Sequence, residues 1–152
     1  MHLSSLYRYP LKSGSAETLE EAYSDELGLV GDRRWMVVDA ETGKFLTQRA
    51  LPAMALLQAR WSGDQSLRLE APGMDALLVA VPDSAQAGRG VVIWREALQA
   101  PDAGDAAGEW LTRLLGRPSR LVFLPATSGI QVDQDFARPG EQTAFSDVFP
   151  FC

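Results

Sequence analysis

Apolar residues along this chain recur in short runs or at every second position, the spacing of strands half-buried in a sheet. Leu3 to Tyr9 is apolar and aromatic and is halted by Pro10, which lacks the N–H that a ladder needs. Glu17 to Tyr23 predicts a second short strand. Trp35 to Asp39 follows a glycine-rich turn and predicts a third, and Asp39 to Lys44 reads as the turn of a hairpin returning through Phe45 to Gln48. Beyond the break at Leu51-Pro52, the segment Met54 to Trp61 reads as a helical turn leading into a strand. Further strands are predicted at Ser66 to Glu70, Ala76 to Val81, Val91 to Trp94 and Arg120 to Phe123.

One segment has helical spacing. Trp110, Leu111, Leu114 and Leu115 share a face, Asp105 stands where an N-cap belongs, and Gly116 and Pro118 end the run. Many short strands and one late helix near 105–115 predict a mostly β fold, a closed or partly open antiparallel β-barrel. Residues 133–142 read as a polar connection, and Thr143 to Phe149 as the start of a strand. The apolar tail to Cys152 is expected to lead into further structure.

The chain has 152 residues, is 46% hydrophobic and carries a net charge of −6, enough for one compact core. The acidic balance argues against nucleic acid, whose phosphates need a basic face. No apolar run approaches a membrane span, and the N-terminal residues lack the pattern of a signal peptide, so a cytoplasmic chain is expected. The only cysteine is Cys152 and the only histidine is His2. An intrachain disulfide, a cysteine-based metal site and a histidine-centred triad are therefore excluded from this chain alone.

Two motifs stand out against that background. Tyr9-Pro10-Leu11-Lys12-Ser13 sets an ammonium beside a hydroxyl on a proline-stiffened turn, and Gly31-Asp32-Arg33-Arg34-Trp35 puts two arginines at the mouth of a strand. Cation and hydroxyl together suit a phosphate or a polar heterocycle. A solvated turn is the alternative for Lys12 and Ser13, and an ion pair with Asp32 or Asp39 is the alternative for the arginines. Alternation along the strand would send Arg33 and Arg34 to opposite sides, one toward a site and the other toward solvent. Thr47-Gln48-Arg49 adds hydrogen-bonding groups or serves cross-strand pairing. The tryptophans at 35, 61, 94 and 110 are expected in the core, with stacking on a ligand as the lesser alternative, and the pairs Glu20-Glu21 and Asp25-Glu26 in solvent.

Taken together, YPLKS at 9–13, GLVGDRRWMVVD at 28–39, TQR at 47–49, DAGDAAGEWLTRLLG at 102–116 and FSDVFP at 145–150 resemble the N-terminal β-barrel domain of MOSC proteins. That family includes the C-terminal region of molybdenum cofactor sulfurases and the amidoxime-reducing components. The resemblance implies a barrel over residues 1–140, with 141–152 starting a truncated or absent MOSC domain. It also implies that Lys12, Ser13 and Arg33 contact the molybdenum cofactor (molybdopterin), and that the facing wall belongs to a MOSC domain in cis or in trans. Arg34 falls at a variable position of the motif. The family's reactive cysteine lies in the MOSC domain and Cys152 does not match it, so the chain alone is expected to lack the catalytic group. Nothing in the sequence supports a pyridoxal phosphate site. A different reading is a non-catalytic interaction module, docking a partner domain or substrate protein through the tail from Phe145 to Cys152.

Overall fold

The computed structural model describes residues 5–62, 65–85, 88–131, 139–140 and 142–145. Thirteen short strands occur among them. These are β1 (Leu6–Arg8), β2 (Glu17–Leu19), β3 (Ser24–Asp25), β4 (Gly28–Leu29), β5 (Trp35–Asp39), β6 (Gln58–Ser62) and β7 (Ser66–Glu70), then β8 (Leu77–Ala80), β9 (Arg89–Ile93), β10 (Glu96–Ala100), β11 (Ser119–Phe123), β12 (Ile130–Gln131) and β13 (Gln142–Thr143). A 3-10 turn, Pro52–Leu56, precedes β6, and one α-helix, α1 (Asp105–Leu115), precedes β11. The helix is not long and apolar enough to cross a membrane.

The strands pair antiparallel as β1-β2, β3-β4, β5-β11, β6-β7-β8, β9-β10 and β12-β13. Among the described residues no sheet closes on itself, so of the expected closed or partly open barrel the closed form is not seen. A circuit of pairings does run from β5 through residues 44–45 to β9, on to β10, then through Asp102 to β11 and back to β5. Three of its links are isolated bridges, Val38 with Phe45, Lys44 with Val92 and Asp102 with Val122. Gly43 at φ +68° and Pro101 interrupt the ladders at two of these joints, so a continuous sheet cannot propagate there.

The β5-β11 pair divides two cores. Trp35, Val37, Leu121 and Phe123 face one, with Met54, Leu57, Leu67, Leu69 and the apolar stripe of α1. Met36, Val38 and Val122 face the other, with Val91, Ile93, Leu124 and Phe145. Burial on both faces explains why this strand reads as an unbroken apolar run rather than an alternation.

Several local expectations need correction. Helix α1 is capped by Gly104, while Asp105 is its first residue and accepts a 2.8 Å hydrogen bond from Arg120. Gly116, in the left-handed region, closes the helix as expected. Residues 96–100, for which the sequence predicts no element, carry helix-favouring Glu, Ala, Leu and Gln and form a strand because they pair with β9 over five residues. Asp25 is not simply solvated, because it pairs with Arg34. Phe145, the first residue of the proposed docking tail, is fully buried in the second core, and its N–H donates to the Arg33 carbonyl at 3.0 Å. Residues 146–152, and most of the expected connection at 133–142, lie outside the described residues.

Candidate functional site

The two sequence motifs meet because their backbones are zipped together. Arg33 N–H donates to the Tyr9 carbonyl at 2.6 Å, Trp35 N–H to that of Pro10 at 3.1 Å, and Lys12 N–H to that of Trp35 at 2.8 Å. Leu11 and Trp35 form a parallel bridge. Asp32 locks the arrangement: one carboxylate oxygen accepts the Tyr9 N–H at 2.8 Å and the other accepts Arg33 Nη1 at 3.0 Å. The ion pair of Arg33 with Asp32 therefore exists, yet the guanidinium keeps about a third of its side-chain surface. It also lies 5.3 Å from the ring centre of Tyr9.

Beside this seam opens a cleft of about 670 Å³ lined by Tyr9, Lys12, Ser13, Gly14, Arg33, Phe45, Thr47, Gln48, Arg49 and Trp94. All three residues expected to form a site are in it. Among the described residues its lining contains three cations and no carboxylate, in a protein whose net charge is −6. Low-dielectric walls bearing one sign of charge focus the potential on a ligand of the other sign. Gln48 Nε2 donates to the Ser13 carbonyl at 2.8 Å, so Thr47-Gln48-Arg49 belongs to the cleft and is more than a sheet edge.

Backbone strain gathers here as well. Among the described residues four other than glycine have positive φ, and three of them, Ser13 (+60°), Arg33 (+47°) and Trp94 (+50°), line this cleft. Such conformations persist only where the surrounding structure enforces them, and they concentrate at ligand sites.

The two arginines do diverge, but not through strand alternation: both precede β5, Arg33 has φ +47°, and Arg34 does not face solvent. It is 4% exposed and ion-paired with Asp25, it donates a long 3.5 Å bond to the Leu124 carbonyl, and its Nε has no hydrogen-bond partner among the described residues. Trp94 departs from expectation in the other direction, being half exposed on the wall of the cleft. The sequence marks Arg49 together with Thr47 and Gln48, whereas it does not single out Phe45 as a site residue and Trp94 is expected in the core. The one available signal was Trp94 itself, a bulky residue closing a hairpin.

A family model described as the MOSC N-terminal beta barrel domain matches residues 1–118. The chain belongs to that family. The MOSC N-terminal domain described here is 31% identical to human mitochondrial amidoxime-reducing component 1, over 98% of this chain and 46% of that protein. It is 30% identical to the molybdenum cofactor sulfurase of Danio rerio, over 79% of this chain and 15% of that protein. The chain thus spans less than half the length of these relatives. The solution structure of a Bordetella bronchiseptica protein superimposes with a TM-score of 0.54 at 22% identity, covering 70% of this chain and 89% of that one. At that identity the likeness concerns the fold.

Proposed function

We propose that this MOSC N-terminal domain binds the anionic pterin-phosphate end of the molybdenum cofactor through Lys12, Ser13 and Arg33. The observation that carries the reading is a cleft lined, among the described residues, by three cations, no carboxylate and three residues of strained backbone, and built from the motifs that carry the family resemblance. The donor set fits such a group. Lys12 offers an ammonium, Arg33 and Arg49 planar guanidiniums suited to paired contacts with phosphate oxygens, and Ser13 a hydroxyl. Kinship with proteins named as molybdenum cofactor sulfurases supports the choice of cofactor.

When bound, the cofactor supplies the molybdenum-centred chemistry. The residues of this chain hold and orient its charged end, and Asp32 keeps Arg33 from swinging into solvent. A MOSC domain, in cis or in trans, belongs to the reading as the facing wall of the cleft.

The test is calorimetric titration with molybdopterin of the chain and its Lys12→Ala/Arg33→Ala variant, each alone and mixed with a MOSC domain. A charge-assisted hydrogen bond contributes about 1.5–3 kcal/mol, so losing two should weaken binding on the order of a hundredfold or more. Equal affinity for the parent and the double variant would sink the assignment.

A further inference from the structure

Trp94 stands where hairpin geometry favours glycine. Strands β9 and β10 pair from Ile93 with Glu96 outward, leaving Trp94 and Arg95 as a two-residue turn. Of those two, only Trp94 has a positive φ, +50°. The first central position of such a turn goes to glycine because a Cβ is crowded there. A tryptophan in that conformation destabilises the turn, and burial does little to offset this, since 48% of the residue is exposed.

What the side chain does instead is meet Lys12. The Lys12 ammonium lies 4.5 Å from the Trp94 ring centre and 5.5 Å from that of Phe45. The two rings meet edge-on at 5.7 Å. Lys12 is 7% exposed, so its cation is largely withdrawn from water, the condition under which attraction to a ring face is strongest. A lysine elsewhere on the surface would have to be ordered when an anion binds, and here the rings contribute to ordering it beforehand.

We infer that Trp94, seated on Phe45, is a positioning residue that holds the Lys12 ammonium ready for an anionic ligand at the cleft. The inference rests on the reading of the cleft as an anion site. It goes beyond that reading by assigning the strained hairpin tip a role in presenting the charge.

The experiment compares the full chain with its Trp94→Gly, Trp94→Phe and Lys12→Met variants, using inorganic pyrophosphate and molybdopterin as probes. Three quantities are read: the dissociation constant, the melting temperature, and the upfield ring-current shift of the Lys12 ε-methylene protons by NMR. Trp94→Gly should weaken binding about tenfold, abolish the proton shift and leave the melting temperature unchanged or raised, because glycine accepts the backbone angle. Trp94→Phe should restore both binding and the shift. Wild-type affinity in Trp94→Gly, alongside weakened binding in Lys12→Met, would overturn the inference and leave the cleft reading standing. Binding and melting temperature falling together, with no rescue by phenylalanine, would also overturn it, since Trp94 would then be structural. Absence of binding by the parent chain to either probe would overturn both.

Discussion

The tip of the 39–44 turn is pressed against β9, and Gly43 measures how tightly. Its φ is +68°, and a Cβ built on it would lie 2.4 Å from the Gly90 carbonyl oxygen and 3.3 Å from the Val91 Cα. Both are backbone atoms, so no side-chain rotation relieves the clash. The contact is also a joint of the fold, because Val92 N–H donates to the Gly43 carbonyl at 2.9 Å. Gly43→Ala should therefore incur two costs. Holding alanine in the left-handed region costs about 1–2 kcal/mol, and forcing apart a packed contact costs about 1–3 kcal/mol more. The sum, about 2–5 kcal/mol, corresponds to a fall in melting temperature of about 10 °C for a domain of this size. Gly73 supplies the control, with φ +73° and nothing within 4 Å of its would-be Cβ. Gly73→Ala should incur the conformational cost alone. Urea unfolding of both variants, followed by circular dichroism, isolates the contact as the difference between them. Equal destabilisation would refute the close approach of this turn to β9, and with it the link that joins the motif-bearing half of the circuit to the Trp94 hairpin.

The Arg34–Asp25 pair should respond asymmetrically to loss of either partner. Arg34→Met leaves Asp25, whose side chain is 29% exposed and can regain water, and should change stability by no more than about 1 kcal/mol. Asp25→Ala strands a buried guanidinium and should cost about 3–5 kcal/mol by urea unfolding; similar losses in the two variants would contradict this account. Acid should weaken the fold through Asp39 and Asp102. For Asp102, burial pushes the carboxyl up, but hydrogen bonds from Arg120, the Gly104 N–H and Arg89 outweigh it and hold the group below its ordinary value. The Thr42 N–H, then Arg117 and the Thr42 hydroxyl, hold Asp39 well below the usual carboxylate range. Groups lowered on folding stabilise fully above their unfolded pKa, near 4, and lose that contribution as pH falls through the folded one. The urea midpoint should therefore drop from about pH 4 downward, and less steeply in Asp102→Asn; an unchanged slope in that variant would remove Asp102 from the explanation.

Much of this protein was legible residue by residue. Proline and glycine punctuation marked the end of β1, the 39–44 turn and the close of α1, since φ restriction and a missing N–H act locally whatever the rest of the chain does. The strand at 35–39 was visible from its β-branched and aromatic run. The strand at 96–100 was not, because its residues favour helix and only pairing with β9 overrides them. Barrel closure was expected from the number of strands, but the count could not reveal that the circuit is joined by single bridges.

The site divides along the same line. Sequence by itself determined the cations and hydroxyl of the cleft and the family of the domain, because these follow from residue identity and motif order. Tertiary structure alone decided that residues 9–12 lie parallel to 33–35, that Arg34 turns into the interior, and that Trp94 crosses from a hairpin some eighty residues away to cover Lys12. Each of those depends on the register between distant segments. Register is settled by which apolar faces pack and which backbone N–H groups find partners, and no window of neighbouring residues contains that information.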